Sequence, residues 1–134
     1  CPMIRTTIKS FIQADLESVW HSVTSLYDYS WRSDIKDIEV SDERHFREIS
    51  NEGYVTCFTV TVIEPFLKYS FLMDNVNFSG EWTGHFRQAE NGTEEIFTES
   101  ISLKKWWLYP FALLYLKLQQ KRYIADLKRK CEQE

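Results

Sequence analysis

Residues 35 to 103 hold six close-set runs of strand-like sequence separated only by turn residues. The runs cover 35–40, 45–49, 54–63, 67–73, 78–88 and 95–103, and between them stand Ser41-Asp42-Glu43, Asn51-Glu52-Gly53, Glu64-Pro65, Asp74-Asn75 and Asn91-Gly92. Turns this short join antiparallel neighbours, and Asn-Gly between alternating residues is the strongest short hairpin signal. An opening extended segment, residues 3–11, mixes β-branched and polar residues and supplies a seventh strand. No repeat, low-complexity tract or linker interrupts the series, so residues 1–134 read as a single domain.

The helical periodicities lie at the two ends. Leu16, Val19, Trp20 and Val23 recur at i, i+3, i+4 and i+7, with Asp15 and Glu17 where negative charge suits a helix start. Residues 27–31 read as a second short helix or turn. Near the C-terminus Pro110 suits a first helical turn, and Leu113, Leu116, Gln120, Tyr123 or Ile124, and Leu127 follow at helical spacing. A helix over 110–131 reaches roughly 33 Å, enough to cross a sheet. The expected class is α+β: a seven-stranded curved antiparallel sheet gripping a long C-terminal helix, with two short helices after the first strand.

Strand alternation then sorts one apolar face. Phe58, Val60 and Val62 point one way in their strand, and Tyr69, Phe71 and Met73 in the next. Phe78, Gly80, Trp82, Gly84 and Phe86 share a face in the fifth of the six runs, and Phe97, Glu99 and Ile101 in the sixth. Aromatic residues make up 16% of the chain, which suits both a bulky core and a pocket lined by rings. The expected cavity residues are therefore Phe58, Val60, Tyr69, Phe71, Phe78, Gly80, Trp82, Gly84, Phe97 and Glu99 from the sheet. The helix adds Phe111, Leu114, Tyr115 and Leu118. Gly80 and Gly84 admit two readings, sheet curvature or space for a ligand beside Trp82.

Glu99 is the one candidate for chemistry. A carboxyl on an apolar face without a partner has its pKa raised and becomes an acid or hydrogen-bond donor. A buried Arg, Lys or Tyr partner would make it structural instead. His21, His45 and His85 have no second histidine or cysteine at i+2 to i+4, so no metal site is expected. No nucleophile turn or glycine-rich phosphate loop occurs, and no cofactor is expected.

Charge and cysteine content bound the partners. Residues 1–102 carry 8 basic and 17 acidic side chains, and residues 103–134 carry 8 and 3. The acidic body argues against nucleic acid. Cys1, Cys57 and Cys131 share no metal or redox spacing, so no disulfide framework is expected. Arg5 and Lys9 interrupt the opening apolar positions, no signal peptide is visible, and a cytoplasmic location is expected. Residues 106–116, from Trp106 to Leu116, are too short an apolar run to span a membrane. Their rings read first as a plug filling the cavity mouth from within. The alternatives are a gate for an apolar ligand, a transient membrane contact beside Lys104-Lys105, or the interface of a weak homodimer in place of a monomer.

The order of elements resembles the helix-grip proteins, the START-like or Bet v 1 (SRPBCC) superfamily, and within it the polyketide cyclase/dehydrase-like branch. The residues carrying the resemblance are Leu16, Glu17, Val19-Trp20, Tyr29-Ser30-Trp31, Phe58, Thr61 and Glu64-Pro65. Gly80, Trp82, Gly84, Thr93, Thr98-Glu99 and the closing run from Tyr123 to Lys128 continue it. The family pattern has a second proline after Glu-Pro, where Phe66 stands here. The resemblance implies a cavity for a small hydrophobic molecule, lipid- or polyketide-like. It also implies a second possibility, a cyclase or dehydratase acting through Glu99 and a nearby tyrosine. A partner-binding module using residues 106–115 is the third.

Overall fold

The computed structural model of the protein describes residues 3–133. Strand β1 (Ile4–Ile12) leads into helix α1 (Leu16–Thr24), and strands β2 (Ile35–Val40), β3 (His45–Ser50), β4 (Val55–Glu64), β5 (Lys68–Asp74), β6 (Phe78–Ala89) and β7 (Gly92–Leu103) follow. A single 3-10 turn, Trp106–Leu108, precedes helix α2 (Tyr109–Glu132). The sheet order is β1-β7-β6-β5-β4-β3-β2, with every neighbouring pair antiparallel. Consecutive strands pair through their turns, and β1 closes the series on β7. Register shifts interrupt the pairing at Ile35/Asp37 in β2 and at Val60/Val62 in β4.

Local chemistry fixes the ends of these elements. The Asp15 carboxylate accepts the Ser18 N–H at 2.7 Å and starts α1, which buries Val19 and Trp20. The second short helix expected at 27–31 does not form. Ser25 Oγ instead accepts the N–H groups of Tyr27 and Asp28, and the Trp31 indole donates to the Asp28 carbonyl. These bonds satisfy the backbone as turns and leave it nothing to gain from a helix.

The turn at Glu64-Pro65 has a different finding. Leu67 N–H bonds the Glu64 carbonyl, and Phe66 sits at φ 68°, a conformation closed to proline. Phe66 thus cannot stand in for the second proline, and the turn takes its own shape. Its ring packs 5.9 Å from Trp20, outside the cavity.

Helix α2 buries Ala112, Leu116, Gln120, Ile124, Leu127 and Cys131, a stripe that advances nearly every four residues. Leu113 is not part of it and stands exposed, because the stripe starts from Ala112. The helix lies along β1 and α1, while β2 to β5 stand away from it. Polar bonds pin its second half. Gln120 exchanges two 3.2 Å bonds with Thr6, Asp126 accepts the N–H and hydroxyl of Ser33 at 2.8 Å, and Glu132 accepts the Gln13 N–H. Arg122 and Arg129 donate to the Ser33 and Trp31 carbonyls. The loop between α1 and β2 is therefore stitched to the helix that covers it.

Candidate functional site

Because α2 sits over the β1 side, the space between it and the outer strands is not filled. A cavity of about 680 Å³ opens there. Phe58, Phe71, Trp82 and Phe97 form its floor, and Tyr69 and Phe78 extend it. The rings lie in ordered contacts: Phe71 stacks on Trp82 at 4.9 Å and 7°, and Phe46 stacks on Phe58 at 4.8 Å and 2°. Flat stacked rings suit a ring-bearing apolar guest. Ala112 and Leu116 of α2 roof the cavity, exposed Phe111 and Tyr115 of α2 and Glu52 and Tyr54 stand at its rim, and Thr56 and Gln119 also line it.

Several expected lining residues lie elsewhere. Val60 is buried in the core and does not line the cavity. Gly80 and Gly84 leave no empty space. A Cβ on Gly80 would stand 2.3 Å from the Ser100 carbonyl oxygen, and one on Gly84 would stand 2.7 Å from the Trp82 ring. Glycine at 80 permits the close approach of β6 to β7, and glycine at 84 gives Trp82 its seat. Both glycines thus serve close packing, and neither leaves space for a ligand beside Trp82. Leu114 and Leu118 do not line the cavity, because the helix turns them to solvent. Nor do the rings of 106–115 plug the mouth from within. Phe111 and Tyr115 reach the cavity rim, while Trp106 is 81% and Trp107 is 54% exposed.

Glu99 lies on β7 opposite Trp82 and lines the cavity. Among the described residues it makes no hydrogen bond, and burial, with the nearby Glu48 charge, pushes its pKa up to about 7. Burial also pushes the Tyr69 hydroxyl up to about 12 and that of Tyr123 higher still.

Sequence reasoning passed over a second polar cluster. Arg32 donates to Glu48 at 2.9 and 3.3 Å and to Asp34 at 3.1 and 2.8 Å, with its guanidinium 5.1 Å from the Tyr123 ring centre. Burial works against the Arg32 charge, but the two carboxylates outweigh it and hold the proton firmly. Nothing local links Arg32 to Glu48, 16 positions away, so only the tertiary structure joins them. All three residues line the cavity.

Glu95 was also missed, although the signal was present. It is two positions before Phe97 on the same alternation that marked Glu99. It is fully buried beneath α2, accepts Ser10 Oγ–H at 2.5 Å through Oε1, and leaves Oε2 without a partner among the described residues. Burial pushes its pKa up to about 7. It does not line the cavity.

No protein-family model and no curated protein sequence matches the chain. Solved structures do. A START superfamily protein from Mycobacterium smegmatis superposes with a TM-score of 0.81 at 14% identity, over 98% of this chain and 97% of that one. The di-domain ARO/CYC BexL from the BE-7585A biosynthetic pathway gives a TM-score of 0.79 at 13% identity, over 97% of this chain and half of that one. Ara h 8.0201 gives 0.78 at 9% identity, over 99% of this chain and 100% of that one. The fold is the helix-grip fold of START-like proteins.

Proposed function

We propose that the protein binds a neutral, ring-bearing hydrophobic molecule in the cavity between the sheet and α2. The observation that carries this reading is the stacked aromatic floor of a cavity of about 680 Å³, a size within the range of small-molecule sites. Charge narrows the class. Asp34, Glu48 and Glu52 face the cavity against Arg32 and Arg122, before Glu99 is counted. An anionic guest such as a fatty acid meets an excess of carboxylates, and a neutral one does not. Protonated Glu99, with the Tyr69 and Tyr123 hydroxyls, offers hydrogen bonds to a carbonyl or hydroxyl oxygen on the guest.

Nile red, which is flat, neutral and carries a carbonyl, tests the reading. Saturable binding with quenching of tryptophan emission is expected. Phe71→Leu, which keeps bulk but removes the stacked wall, is expected to weaken binding roughly tenfold at most. A folded protein that shows no saturable binding overturns the proposal.

One observation favours a second reading, catalysis of a cyclase or dehydratase type. With its pKa at about 7, Glu99 is poised to give a proton to a departing hydroxyl or an enolising carbonyl near neutral pH. Turnover of a poly-β-keto mimic that disappears in Glu99→Gln, while Nile red binding persists, distinguishes this from carriage alone.

A further inference from the structure

The first turns of α2 leave most of their apolar side chains in solvent. Phe111, Leu114 and Leu118 follow at i, i+3 and i+7 and are 57–70% exposed. Trp106 and Trp107 extend this row beyond the helix start. Val76, also exposed, stands at the β5–β6 turn, whose Asn77 carbonyl accepts the Lys104 N–H. So large a contiguous apolar patch has to be covered by something. Its charge says by what. From Ser100 to Ala125 the chain holds Lys104, Lys105, Lys117, Lys121 and Arg122 and no acidic residue. Helical geometry sets Lys117 and Lys121 along one side of the apolar row and Tyr115 and Arg122 along the other. Asp74 pairs with Lys104 at 2.7 Å and Arg122 is turned to Ser33, which leaves Lys105, Lys117 and Lys121 to keep the patch basic.

We propose that this face docks on the surface of an anionic phospholipid bilayer. Tryptophan and tyrosine rings at headgroup depth, leucine and phenylalanine below them and lysines reaching up to phosphate are the arrangement an interfacial helix presents. No helix among the described residues is long and apolar enough to cross the bilayer, so the contact lies in its plane. A second copy fits less well, because a two-fold contact would set the same cations against each other. The cavity gives the contact a purpose. Phe111 and Tyr115 belong to both the patch and the cavity rim, so docking sets the cavity opening beside the acyl region. An apolar guest then moves between membrane and protein with little passage through water. This use of the surface rests on the ligand-binding reading above, but docking itself does not.

Flotation with vesicles of phosphatidylcholine, with or without 30 mol% phosphatidylglycerol, tests it. Binding is expected to the anionic vesicles alone, with a blue shift of tryptophan emission and loss in high salt. Lys117→Glu/Lys121→Glu is expected to lower partition at least roughly tenfold. Trp106→Ser/Leu114→Ser, whose side chains lie outside the cavity, is expected to abolish it. Both variants are expected to bind Nile red in vesicle-free solution like the parent, so loss of docking and loss of the pocket are read separately. Equal partition to neutral and anionic vesicles, or none to either, overturns the proposal. So does sedimentation as a dimer that Trp106→Ser/Leu114→Ser converts to monomer.

Discussion

Glu95 and Glu99 bring two raised carboxyls under one helix, and their sign sets a pH dependence. Both release the proton near pH 7 in the folded protein, against about 4.5 when exposed. The unfolded chain thus loses these protons first, so their contribution to stability is full below about 4.5 and is lost as pH rises through 7. Asp15 and Asp42, whose pKa values are lowered by backbone hydrogen bonds, act in the opposite sense and favour folding above pH 4. Denaturant midpoints measured between pH 5 and 8 are expected to fall with pH. Glu95→Gln/Glu99→Gln is expected to flatten that slope, and an unchanged slope would refute the assignment. The alternation with Phe97 and Ile101 reads both glutamates as inward-facing. What it cannot supply is the neighbour of each, Ser10 in one case and an open cavity in the other.

The two halves of α2 differ in how they are held. From Gln120 onward, side-chain bonds to Thr6, Ser33 and Gln13 join buried Ile124, Leu127 and Cys131. Before it only Ala112 and Leu116 are buried. Amide hydrogen exchange is expected to be faster over residues 109–118 than over 120–131, and to slow in the first half when Nile red or anionic vesicles bind. Uniform protection along the helix would rule out this division. Leu116→Ala is expected to cost about 2–5 kcal/mol in chemical denaturation, while Leu114→Ala is expected to stay within about 0.5 kcal/mol. Helical spacing alone does not separate these two leucines. Residues 111–118 are apolar nearly all round, so their periodicity has no phase until β1 and α1 choose a side.

Across the whole molecule, one meandering sheet and one off-centre helix make a fold with a built-in void. A guest that fills it stabilises the folded state by mass action: a ligand at 100 times its dissociation constant adds about 2.7 kcal/mol. Saturating Nile red is therefore expected to raise Tm by several degrees, and an unchanged Tm would place the dye outside the cavity. The strand series, its antiparallel order and the aromatic inner face follow from the sequence alone, because hairpin turns and period-two alternation are local properties. The long helix follows as well, from proline placement and spacing. Only the tertiary structure decides which apolar residues are walls and which are surface. It decides that Arg32 meets Glu48, that Gly80 and Gly84 serve packing, and that Trp106 and Trp107 face outward. Each of those depends on where α2 comes to rest, and that is set by contacts such as Gln120 with Thr6, 114 residues apart, which no local pattern encodes.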